Sequence, residues 1–139
     1  TYRPFGSPIE SPAGIQGKAT QFVMILNALQ LRLLEKIRSD LAGYSVVRST
    51  SPLDNRAIWL EIFAGGIHKG NSCQTLLKKL NINCKEVAGL GNDYNDIDFL
   101  DICAEAYLVA NAPVNLQRHY KLVKSDKEEG FTEFISKVL

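Results

Sequence analysis

From Gly65-Gly66 onward the chain alternates helix-like and strand-like segments, and that alternation constrains its fold more than any other feature. "NSCQTLLKKLNI" sets Leu76, Leu77 and Leu80 on one helical face, with Asn71 or Ser72 placed to cap it. "EVAGL" reads as a short strand, "DIDFLDICA" as a helix ending near Ala104, and "AYLVA" as a strand. "PVNLQRH" then reads as a helix, "KLV" as a short strand and "KEEGFTEFISKVL" as a closing helix. Strands that alternate with helices need crossover connections, and crossovers make a parallel sheet. The expected fold class is α/β.

Before Gly65 the rhythm differs. "QFVMIL" is a continuous apolar run of strand length. From Asn27, a possible N-cap, Leu29, Leu33, Ile37 and Leu41 recur at helical spacing, and Gly43 is placed to stop them. "YSVVRST" and "AIWLEIF" are two β-rich runs separated by "SPLDN", a turn signal. Residues 21–63 therefore read β-α-β-β, a small α+β layer, and Gly65-Gly66 is the natural boundary between residues 1–64 and 65–139. The first twenty residues carry three prolines, Pro4, Pro8 and Pro12, and read as an irregular lead-in or a substrate-side loop.

The 139 residues fit one average domain or two small halves, and 45% hydrophobic residues are enough for a core. A net charge of +1 argues against nucleic acid as the main partner, because phosphate-backbone binding needs a clustered basic surface. Lys78-Lys79 reads as a solvated helix face. Three cysteines, Cys73, Cys84 and Cys103, show no metal or disulfide spacing, which fits a reducing, cytoplasmic setting. No apolar run reaches the roughly 18 residues a membrane span needs, so no membrane partner is expected. The start at Thr1-Tyr2-Arg3 rather than Met suggests a piece of something longer, or a trimmed chain.

Three places carry possible chemistry. In an open parallel sheet, ligands sit at the carboxyl ends of the strands, and "GLGNDYNDID" lies at such an end. Asp93 and Asp96, with the amide oxygens of Asn92 and Asn95, are the hard oxygen donors that Mg²⁺ takes alongside waters and a phosphate. The same residue types build turns and helix caps, and on spacing alone turn-and-cap is the commoner use. Lys69 opens a helix just after Gly65-Gly66, where free backbone N–H groups and an ammonium suit a phosphate; a plain surface lysine is the alternative. Asn111, in "NAP" after "AYLVA", is the third strand-end polar group, and the convergence of all three on one edge is the strongest signal. His68 and His119 read as surface or packed histidines. Arg48 and Arg56 could reach a sugar or a carboxylate, although surface arginines explain them as well.

"GGIHKGNSCQTLLKKLNI", "EVAGLGNDYNDIDFLDICAEAYLVANAP" and "KLVKSDKEEGFTEFISKVL", in that order, resemble the C-terminal half of haloacid dehalogenase-like phosphatases. The nearest branch is the Cof-type, sugar-phosphatase-like one with an α/β cap. The resemblance covers Ile58 to Leu139 well and implies a parallel-sheet, Rossmann-like core preceded by the end of a cap at residues 1–64. It implies a Mg²⁺-dependent phosphohydrolase of a small phosphorylated metabolite that works through an aspartyl-phosphate. Lys69 would steady nucleophile and phosphoryl group, and Asn92, Asp93 and Asp96 would form the metal loop. Asn95, Asn111 and Arg48 would sit on the substrate side. Two departures stand out. No Asp-x-Asp follows "QFVMIL", so the nucleophile is expected in a missing N-terminal part of the same protein, and this chain is expected to be inert alone. The loop also reads Gly91-Asn92-Asp93, where the family has an aspartate directly after the glycine. A non-catalytic relative that binds a phosphorylated ligand or a protein partner is the alternative. A nucleotide-binding module is weaker, since "GLGND" lacks GxGxxG spacing and no Walker motif occurs.

Overall fold

A computed structural model describes residues 17–51 and 57–139. Most of the lead-in, and with it "PLDN" and Arg56, lie outside the described residues. The described residues build two three-stranded sheets of different kinds. The first is antiparallel, in the order β1-β3-β2: β1 is Gln21–Leu26, β2 Tyr44–Thr50 and β3 Ile58–Ala64. Its register sets Val46 opposite Ile62 and Arg48 opposite Leu60. The second sheet is parallel, in the order β4-β5-β6: Ala88–Gly91, Glu105–Val109 and Lys121–Val123. The α/β class expected from the alternation is the class observed.

The antiparallel sheet buries Leu26, Ile58 and Leu60 against Leu34, with Leu31 and Ile37 beside them. The segment after Asn27 is not one helix. Ala28–Leu33 is a 3-10 helix, and α1 is only Leu34–Asp40. Asn27 caps the segment as its position suggested: its Oδ1 accepts from Gln30 N at 3.1 Å, and Gln30 Oε1 accepts from Asn27 N at 3.0 Å. The tighter winding changes which side chains face inward. Leu31 of the 3-10 helix and Leu34 and Ile37 of α1 meet the sheet, while Leu29 is left 84% exposed.

Between the sheets, β3 ends in a turn where Gly66 takes φ +78°, a backbone region that suits glycine. Helix α2, Lys69–Leu80, is capped at His68, three residues before Asn71 and four before Ser72, the positions its capping signals suggested. Asn71 instead ties the helix back to the turn, its Nδ2 donating to Gly66 O at 2.9 Å. Only the row Gly70, Cys73, Leu77 turns inward; Leu76 and Leu80 remain exposed. Asn81 closes the helix in the left-handed conformation at φ 58°.

The parallel sheet buries Tyr107, Leu108, Val109 and Val123 against Leu100, Leu116 and Phe134. Its helices are shorter than the sequence suggested: α3 is Ile97–Leu100, α4 Val114–Gln117 and α5 Gly130–Val138. Asp101 stands at the end of α3, where a carboxylate opposes the helix dipole, and the chain then turns so that Ala104 N donates to Val87 O at 2.9 Å. Phe134 of α5 meets Tyr107 edge-on, with ring centroids 5.4 Å apart. All three cysteines are free. Among the described residues, no helix is long and apolar enough to cross a membrane.

Candidate active site

The carboxyl end of β4 runs into Asn92-Asp93 and a single 3-10 turn, Tyr94–Asp96, which feeds α3. The turn is a reciprocal cap. Asp93 Oδ1 accepts from Tyr94 N at 2.7 Å, and Asp96 Oδ2 accepts from Asp93 N at 3.1 Å and from Asn92 N at 2.7 Å. These two carboxylates therefore hold the loop's own N–H groups, the use that turn chemistry favours. Gly91 makes the close approach feasible, since a Cβ there would come within 2.8 Å of Asp96 Cβ.

The loop also reaches beyond itself. Lys69, first residue of α2, places its ammonium on Asp96 Oδ1; its side chain is half exposed, whereas that of Asp96 is 5% exposed. From the other side Thr50, at the end of β2, donates its N–H to Asp93 Oδ2 and its hydroxyl to Oδ1 at 3.0 Å. The antiparallel sheet, α2 and the strand-end loop are thus joined at Asp93 and Asp96. Charge alone makes that junction consequential, because a buried carboxylate stripped of its donors is costly.

Two cavities open there. One, of about 360 Å³, is bordered by Asn92, Asp93, Ser49, Thr50 and Trp59. The other, of about 400 Å³, has an apolar wall of Val47, Phe63, Ile67 and Phe99. Lys69, Asn95 and Glu61 border both. Lys69, Asn92, Asp93, Asp96 and Asn95 therefore come together, although the chain separates Lys69 from the loop by more than twenty positions.

Arg48 and Asn111 are placed elsewhere. The Arg48 guanidinium lies 3.6 Å over the Tyr94 ring, with its Nε buried and unpaired, and it borders a separate cavity that Tyr94, Ile97 and Asp98 also line. Tyr94 in turn donates its hydroxyl to Asn115 Oδ1 at 2.7 Å. Asn111 spans to the β6–α5 connection: its Nδ2 donates to Asp126 Oδ1 at 2.8 Å, and it borders neither cavity at Lys69. His68 sits beside the site, Nδ1 3.0 Å from Asp98 Oδ2 but not aligned for a hydrogen bond. Thr50 and Glu61 are the neighbours that sequence reasoning missed. Neither carried a local signal: the partner of Thr50 lies 43 positions away, and Glu61 stands in the middle of β3. Among the described residues, no group of three or more His, Cys, Asp or Glu side chains is arranged to hold a metal ion.

A family model described as haloacid dehalogenase-like hydrolase matches residues 11–135. The chain belongs to that family. A "Putative phosphatase" of Streptococcus pyogenes serotype M6 is 27% identical to this haloacid dehalogenase-like hydrolase over 95 residues, 68% of this chain and 33% of that protein. A Streptococcus mutans structure superposes with a TM-score of 0.76 at 23% identity, covering 93% of this chain and 48% of the other. A structure described as a subclass IIB sugar phosphatase gives 0.69 at 14% identity, covering 84% and 42%. The chain spans about a third of the curated relative's length and just under half of each solved structure.

Proposed function

We propose that this haloacid dehalogenase-like hydrolase chain supplies the Lys–Asp–Asn half of a Mg²⁺-dependent phosphohydrolase acting on a small phosphorylated metabolite of sugar-phosphate type. Residues 1–64 would be the end of a substrate-specificity cap and residues 65–139 the end of the phosphatase core. The attacking aspartate would come from outside these 139 residues. The observation that carries the reading is Lys69, paired with Asp96 and bordering a cavity that Asn92, Asp93 and Asn95 also line. The sugar phosphatase among the structural relatives supports the substrate class.

The donor set fits the metal. Asp93 and Asp96 each accept three hydrogen bonds of the about four a carboxylate can take, leaving one lone pair apiece. Two carboxylates with waters and a phosphate satisfy Mg²⁺, whereas a structural zinc would need four protein ligands. Asn92, Asp93 and Asp96 would hold the ion, which neutralises charge on the transferring phosphoryl group when bound. Lys69 has a half-exposed side chain, and its ammonium, with three donors, could serve both Asp96 and a phosphoryl oxygen. Asn95 borders both cavities and could donate from its amide to the ester end. The apolar wall would exclude water from the leaving group.

The test is turnover of p-nitrophenyl phosphate by the complete protein with Mg²⁺. Activity is expected, and Asp96→Ala should abolish it. A folded, metal-replete complete protein that turns over no ester in a panel of sugar phosphates would contradict the reading.

A further inference from the structure

The face of β3 that looks onto the site reads Trp59, Glu61, Phe63, two aromatics with a carboxylate between them. Trp59 borders the polar cavity, Phe63 the apolar one, and Glu61 both. Alternation along a strand puts the three side chains on one side, with Val47 directly across from Glu61 and Ser49 across from Trp59. Ser49 is buried, 6% exposed, and its hydroxyl donates to Glu61 Oε1 at 3.0 Å. Ser49 is the single described residue that donates to Glu61, and no cation among the described residues pairs with it. A half-buried carboxylate held by one oxygen and flanked by rings is ready to accept from a ligand, because leaving it unpaired costs more than pairing it.

We propose that Glu61, oriented by Ser49, is the specificity-determining residue for the leaving group: it accepts a hydrogen bond from a donor group on the alcohol half of the phosphate ester. This rests on the phosphatase reading of the site and extends it to the substrate's other end. Lys69 marks the phosphoryl end, Asn95 and Glu61 the junction, and Phe63 the start of the apolar compartment. A ligand lying across the junction would keep its phosphate in the polar cavity and its carbon skeleton in the apolar one. Its donor would meet Glu61 between them. A neutral hydroxyl and an ammonium both satisfy that geometry, and the ammonium would also gain from the adjacent aromatic faces.

The experiment compares kcat/KM of the complete protein for n-alkyl, ω-hydroxyalkyl and ω-aminoalkyl phosphates of matched chain length. Wild type is expected to prefer a donor-bearing ester over its alkyl counterpart by about tenfold or more, since an unmet partner for a buried charge is penalised on that scale. In Glu61→Ala the preference should fall to within about twofold. Glu61→Gln keeps an acceptor oxygen but not the charge, so it should retain part of a hydroxyl preference and lose an ammonium one. Ser49→Ala, which leaves the carboxylate in place, should lower the preference partially and gives the same readout if a Glu61 variant fails to fold. No preference in wild type, a preference that survives Glu61→Ala, or folded Glu61 variants that lose all esters equally would each overturn the proposal. Those outcomes leave the phosphatase reading intact, whereas a wild type inert toward every ester defeats that reading and this inference with it.

Discussion

Asp96 accepts from Lys69 on one oxygen and from two backbone N–H groups on the other, so it is at once a cap and a charge partner. Turn and ligand site are therefore not competing explanations of "GLGNDYNDID"; the hydrogen bonds that close the turn also hold the carboxylates at the strand end. On the proposed reading, Asn92 is the residue whose identity would matter most for Mg²⁺. Its backbone N–H already serves Asp96, while its side chain borders the polar cavity. Asn92→Asp adds a carboxylate there, and calorimetric titration should show tighter Mg²⁺ binding by the complete protein. An unchanged affinity would mean that Asp93 already fills the place despite its bonds to Thr50. Lys69 and the loop residues were legible because each carries a local signal, a lysine at a helix start and short acids at a strand end. Thr50 carried none, since its partner Asp93 lies 43 positions away. Asn111 was read as a substrate-side group from strand-end placement and Arg48 as an arginine able to reach a sugar or carboxylate; the bond to Asp126 and ring stacking on Tyr94 engage them outside the two cavities.

At the scale of elements, existence and type were readable while length and winding were not. Apolar spacing marked a helix after Asn27, but the capping bonds with Gln30 begin a 3-10 segment, and that changes the inward face. Of the short helices in the parallel half, α3 ends at Asp101, whose carboxylate opposes the helix dipole, whereas α4 ends at Arg118. Gly91 shows how closely β4 meets the turn: a Cβ would lie 2.8 Å from Asp96 Cβ and 2.9 Å from Leu100 Cδ1. Gly91→Ala should cost about 1–3 kcal/mol in urea unfolding and disturb Asp96; an unaffected midpoint would mean the turn can shift freely. The β5–β6 pair carries a pH-dependent contact. Lys121 and the Tyr107 hydroxyl donate to Glu105 and hold its carboxyl below the usual range. A lowered folded pKa gives stability that is fully present above the ordinary value near 4.5 and is lost as pH falls through the lowered one. Glu105→Gln should therefore melt below wild type at neutral pH and converge with it in acid. A difference that persists unchanged in acid would contradict that assignment.

For the molecule as a whole, the sequence conveyed two regimes, and the structure contains two sheets, one antiparallel and one parallel. What linear reading could not convey is how they meet. Thr50 on Asp93, and Glu61 at the junction of two cavities, are long-range facts that no local pattern encodes. The family match extends over residues 11–135, yet the chain spans only part of its relatives' length, and no Asp-x-Asp follows its first apolar strand. The most direct measurement is a side-by-side assay with Mg²⁺ and p-nitrophenyl phosphate, using the complete protein and residues 1–139 alone. Turnover is expected from the complete protein and none from the 139-residue chain. Turnover by the chain alone would mean that its own residues provide the nucleophile, contradicting the division of the site between this chain and a segment outside it.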